Sequence, residues 1–199
     1  MKALTLWQPW ATLLADPRLP KWIETRSRPT KVRGRIAIHA AKSPAGIYND
    51  DSEYEGGWAA TMVGPYQACY CYSSSDEGWL GDTWMVKVEG DDPAPDFAGP
   101  LPLGAVIGTV DLYDCVPIDA FDPSHDVGWP HVCLDESAVA SFALLYPGSE
   151  EIHYGDDISD QLPYGDFTPG RWAWLTRDAE LFTEPVPAKG RQGWWEWSP

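Results

Sequence analysis

The chain has 199 residues, with 30 acidic against 14 basic side chains and a formal net charge of −16. That charge excludes a protein that coats nucleic acid or anionic membrane indiscriminately, and no run of about eighteen apolar residues is present to span a bilayer. Nineteen Pro, 18 Gly and 12 Trp, with little helical periodicity, favour short strands and turns over a helical bundle.

Lys2 to Leu6 is short and apolar, as a buried strand would be. Trp7-Gln8-Pro9-Trp10 turns the chain, and Trp10, Leu13 and Leu14 recur at helical spacing, which predicts a short helix over 8–15. Asp16-Pro17 should end it, because the residue before proline is pushed out of the α region. Lys21 to Arg26 reads as a short strand entered from a loop. Gly34 to Ala40 alternates Ile36, Ile38 and Ala40 against Arg35, Ala37 and His39. Residues 43–100 are the least regular, with a strand expected at Thr83–Glu89 and a Pro/Asp-rich loop over Gly90–Pro102. Leu103 to Cys115 is the clearest long strand. Asp135 to Leu145 suits a short helix, 147–169 a polar loop, Arg171–Thr176 and Glu180–Val186 two strands, and Trp194–Trp197 an edge strand. The expectation is a single α+β domain over 1–199: a small mixed β-barrel flanked by short helices and carrying large loop insertions.

Charge is distributed unevenly. Between Arg18 and Lys42 lie eight of the fourteen basic residues and one acidic residue, Glu24, so this window carries about +7 and the remainder −23. A basic island in an acidic chain marks a place to hold an anion, and screening over about 8–10 Å lets it act despite the acidic surroundings. In a regular strand Glu24 and Arg26 share a face and Lys21 points the other way. The three converge only if Lys21 sits in the preceding loop, and Pro20 makes that break.

Leu4-Thr5-Leu6-Trp7-Gln8-Pro9-Trp10-Ala11, Lys21-x-x-Glu24-x-Arg26, Arg33-Gly34-x-Ile36-x-Ile38-His39-Ala40 and Leu103-Gly104-Ala105-Val106-Ile107-Gly108, with Gly170-Arg171-Trp172-Ala173-Trp174 and Pro187-x-Lys189-Gly190, resemble an ASCH domain of the PUA-like superfamily. The resemblance covers residues 1–42, 101–117 and 170–197, which leaves insertions at about 43–100 and 118–169. It implies a small barrel with a cleft around the Lys/Glu/Arg motif. The Gly that usually stands two residues before the motif Lys is Leu19 here.

Three functions follow as expectations. The first is recognition of RNA, or of a modified nucleoside or nucleotide, in the basic cleft. Arg28, Arg33, Arg35 and His39 would contact the ligand and Trp7 and Trp10 would stack on bases. The second is a metal-independent hydrolase, either an amidohydrolase on a modified cytidine-type nucleoside or a ribonuclease. Lys21, Glu24 and Arg26 would be its catalytic groups, with Lys21 or Glu24 as base and Arg26 as oxyanion or phosphate clamp. The resemblance places a Thr nucleophile three residues after the motif Lys in the amidohydrolases. Glu24 stands there instead, which leaves direct attack by water. The third is an interaction module whose acidic exterior meets a basic partner.

Neither a cofactor nor a metal is expected. Cys69-x-Cys71 with His131-x-Cys133 lacks zinc-ribbon spacing, and Asp91-Asp92 and Asp156-Asp157 read as solvated loop charges. Four cysteines and no apolar leader fit a reduced, cytoplasmic location without membrane attachment.

Overall fold

The computed structural model describes residues 1–43, 58–63, 66–71, 83–87, 99–118, 159–168 and 170–199. The expected helix at Asp135–Leu145, the pair His131 and Cys133, and the carboxylates at 91–92 and 156–157 lie outside these residues.

The described residues form two sheets. The larger contains β1 (Lys2–Leu6), β2 (Ile23–Arg26), β3 (Gly34–Ala40), β8 (Ala105–Ile118), β9 (Arg171–Pro187) and β10 (Trp194–Glu196), in the order β10-β1-β3-β8-β9-β2. The smaller is antiparallel: β4 (Trp58–Val63), β5 (Tyr66–Cys71), β6 (Thr83–Lys87) and β7 (Gly99–Pro100). The expectation for 43–100 named only the third of these strands. The hairpin of β4 and β5 was marked by two apolar-rich runs around Gly64-Pro65.

In the larger sheet β1 and β3 run parallel and the other pairs antiparallel. A parallel pair needs a crossover, and it contains α1 (Trp10–Ala15). This helix ends where Asp16 turns extended, at φ −91° and ψ 115°. Ala11, Leu14 and Ala15 pack with Ile36, Ile38, Ile107 and Leu112 on one face of the sheet. The other face is covered as well: Ala3, Ala37 and Val106 pack beneath Trp197. Gly108 permits a close approach, since a β-carbon there would lie 2.4 Å from the Glu180 carbonyl oxygen and 3.2 Å from Ala15 Cβ.

Two expectations are corrected. The strands at 171–176 and 180–186 are one 17-residue strand, β9, bent at Asp178 (φ +50°) with register shifts against β8. The polar residues 177–180 had looked like a break, but the ladder runs through them. The barrel also does not close. Among the described residues β10 and β2 end the larger sheet without pairing to each other. The sheet curls instead, so that Trp174 of β9 stacks on Trp194 of β10 at 5.3 Å and 5°. The 27–30 segment braces this stack: the Arg28 carbonyl accepts from Trp174 Nε1 at 3.1 Å, and Thr30 Oγ1 accepts from Trp194 Nε1 at 3.0 Å.

Candidate functional site

The curl leaves an open cleft of about 2040 Å³ beside the stacked tryptophans. Its walls come from the Leu6–Trp10 turn, the 24–29 segment, residues 41–43, 163–166 and the loop 187–194.

Glu24, largely buried, lies in the cleft wall. β2 pairs with β9 from Ile23↔Leu175 to Arg26↔Trp172, which fixes the direction of the Glu24 side chain. Lys21 lies before the strand, as convergence required. Its Nζ is 3.3 Å from Glu24 Oε2 and donates to the carbonyls of Ile23 at 2.6 Å and Tyr164 at 2.8 Å. Three acceptors for three N–H donors are the surroundings of an ammonium. Burial pulls the Lys21 pKa below its ordinary value, and the neighbouring Glu24 opposes that pull. The Lys21 side chain has no exposed surface and does not line the cleft. Its reach is therefore to Glu24 and not to a ligand in the cleft.

The 3-10 helix Ser159–Tyr164 buries this lysine. Gln161, fully buried, accepts from the backbone N–H groups of Trp22 and Ile23 at 2.9 and 3.3 Å and donates to the Pro20 carbonyl at 2.8 Å. One side chain thus satisfies the entry to β2. The polar segment 147–169, expected as a loop, gives no sign of this residue, because a partner 139 positions away leaves no local signal.

Arg26 Nε is 3.0 Å from Glu24 Oε1. Its N–H lacks hydrogen-bond geometry to any acceptor, so the contact is ionic. The guanidinium lies 5.9 Å from the centre of the Trp174 ring, within reach of a cation–π contact.

The rest of the basic island divides in two, apart from Lys31, which is exposed and away from the cleft. Arg18 is spent on Asp16 (2.7 Å), Arg33 on buried Asp114 (3.1 Å), and Arg35 on Glu180 (2.7 Å) and the Asp178 carbonyl. Arg33 and Arg35, expected as ligand contacts, do not line the cleft. Arg28 and Lys42 do line it, are exposed, and have no ion-pair partner among the described residues. Lys189 and Arg191 share those properties, although neither stood among the expected site residues. They lie some 150 positions from the island in sequence, and only the fold returns them to it.

Trp7 and Trp10 are at the cleft, with Trp7 55% exposed, and Trp22 packs against the core instead. Buried Gln8 holds this turn: its Oε1 accepts from the Thr12 N–H and hydroxyl at 3.2 and 3.0 Å, and its Nε2 donates to the Pro102 carbonyl at 2.9 Å. His39 lies near the end of β3, opposite a bulge in β8 whose extra residue is Ile107. It is buried at the cleft wall, with Nε2 3.1 Å from the Ala188 carbonyl and Nδ1 without a partner. Burial lowers its pKa and the Ala188 contact raises it less. Among the described residues no three His, Cys, Asp or Glu side chains gather as a metal would require, and no helix is long and apolar enough to cross a membrane.

Among the described residues, five cations (Arg26, Arg28, Lys42, Lys189, Arg191) therefore face two carboxylates, Glu24 and Asp166, along the cleft, and Asp166 is paired with Arg171 at 3.2 Å. Compared with protein-family models and with curated proteins, the sequence matches none.

Proposed function

We propose that this chain is an ASCH-type, PUA-like cytoplasmic protein that binds RNA or a nucleotide-type ligand in the cleft around Glu24. One observation carries the reading: in an acidic chain, cations without acidic partners among the described residues line the same cleft as an exposed Trp7 and the Trp174–Trp194 stack. Phosphate needs the first and a base needs the second. The sequence motifs support the same assignment. Arg26 and Arg28 hold phosphate, Trp7 and Trp10 stack on bases, and Glu24 accepts from base N–H groups. Lys21 is a positioning residue that fixes the Glu24 carboxylate.

Titrating the protein with short RNAs and modified nucleosides, followed by tryptophan fluorescence, tests this. Arg26→Ala with Arg28→Ala should weaken binding by roughly tenfold or more, at about 1.5–3 kcal/mol for each hydrogen bond to a charged group. Trp7→Ala should cost about 1–3 kcal/mol, the size of one stacking contact. Undiminished affinity in both variants sinks the proposal. Deacylated or cleaved product in the same titrations, abolished by Glu24→Gln, would replace it with the hydrolase.

A further inference from the structure

The loop after β9 carries two exposed cations, Lys189 and Arg191, on either side of Gly190. Several contacts hold it. The Ala188 N–H donates to the Gly104 carbonyl at 3.0 Å, and the Ala188 carbonyl lies 3.1 Å from His39 Nε2. Gly190 rests on the imidazole so closely that a β-carbon would lie 2.3 Å from His39 Cε1. β10 follows at once and is fixed by the Trp194 stack. The backbone between the two cations is thus placed before any ligand arrives.

Its position in the sheet gives this order a purpose. Arg26 and Arg28 leave the β2 edge, and Lys189 and Arg191 enter the β10 edge, at opposite ends of the strand order. Curling brings both groups to one cleft, with the stacked tryptophans between the two edges. Pockets for single small ligands enclose about 300–1,000 Å³, whereas this cleft measures about 2040 Å³. A mononucleotide offers its phosphate at one place, so it has no second group for a second set of cations.

We infer that the loop Ala188–Gly193 is a second phosphate-binding element, with Lys189 and Arg191 as its contacts, and that the cleft takes a single strand of several nucleotides. This rests on the nucleotide-binding reading above and adds its ligand length and a second anchoring point.

The test compares adenosine 5′-monophosphate with hexameric oligoadenylate, in ribo and deoxy forms, on the full chain. The wild type should bind a hexamer more tightly than the monophosphate. Lys189→Ala with Arg191→Ala should weaken hexamer binding roughly 10- to 30-fold at 0.1 M salt and flatten its log–log salt slope by about 1.4, at about 0.7 per phosphate. Monophosphate affinity should stay within about twofold, because the electrostatic loss scales with the phosphates contacted. Gly190→Ala, which displaces the loop without changing charge, should also weaken only the hexamers. Equal affinity for hexamer and monophosphate, or equal weakening of both in the double variant, overturns the second element and leaves the first reading standing. Failure of every probe to bind overturns both. A ribo hexamer bound more tightly than its deoxy counterpart identifies the strand as RNA.

Discussion

Lys21 shows how a residue can be central to a site without touching what the site binds. Its ammonium is surrounded by Glu24, the Ile23 carbonyl and the Tyr164 carbonyl, and removing it leaves a buried carboxylate and two carbonyls without their donor. Lys21→Met, which keeps the aliphatic stem, should therefore cost about 3–5 kcal/mol of stability by urea unfolding. A change under 1 kcal/mol would show that water replaces the ammonium easily. Much of this arrangement was legible in the sequence: Pro20 breaks the strand, and only a break lets Lys21 meet Glu24 and Arg26. The fates of Arg33 and Arg35 were not legible. Their partners, Asp114 and Glu180, stand 81 and 145 positions away, so a run of positive charge looks uniform until tertiary structure neutralises half of it.

At the level of elements, strands with apolar alternation could be read directly, as β3 and β8 show, and β1 could be read from its short apolar run. β9 could not, because the residues at its bend are polar and Asp178 takes a left-handed conformation. What holds the bent strand in place is Gly108 on β8. Gly108→Ala would drive a β-carbon into the Glu180 carbonyl, a backbone group that no rotamer change can move aside. It should cost about 1–3 kcal/mol, the usual penalty of overpacking, seen as a lowered urea midpoint. Unchanged stability would mean that the β8–β9 ladder slides without loss. The bulge opposite Ile38/His39 lies in β8, where Ile107 is the extra residue, so β3 keeps its alternation and His39 stays on the face of Arg35 and Ala37. Cover is what separates the two: Trp195 and Gly190 pack on the imidazole, and the guanidinium at the start of the strand is exposed.

For the whole molecule, acid should be more damaging than neutral pH. The folded His39 pKa lies below its ordinary 6.5 because burial disfavours the cation. As pH falls below about 6.5 the unfolded chain gains this proton before the folded chain does, so stability declines with acidification and is fully present above that value. Urea midpoints measured from pH 7.5 to 5 should fall, and His39→Gln should flatten that part of the profile. An identical decline in the variant assigns the effect to other groups. The net charge of −16 and the basic window were visible from composition, and they located the cleft. Its second set of cations was hidden, because Lys189 and Arg191 join it through tertiary contacts alone: Ala188 with Gly104 and His39, and β10 beside β1.

The grip of residues 161–164 on the motif loop also governs how the molecule comes into being. Lys21, Trp22 and Ile23 meet their Gln161 and Tyr164 partners at sequence separations of 138–143, and β1 gains its β10 neighbour only when the 194–196 segment exists. During synthesis the motif therefore leaves the ribosome long before the groups that bury it, with its lysine still in water. Contacts of such long range place the chain among slow folders, and the cleft is among the last features to assemble. A chain stopped short of Gln161 carries every residue of the Lys-x-x-Glu-x-Arg motif and none of its site.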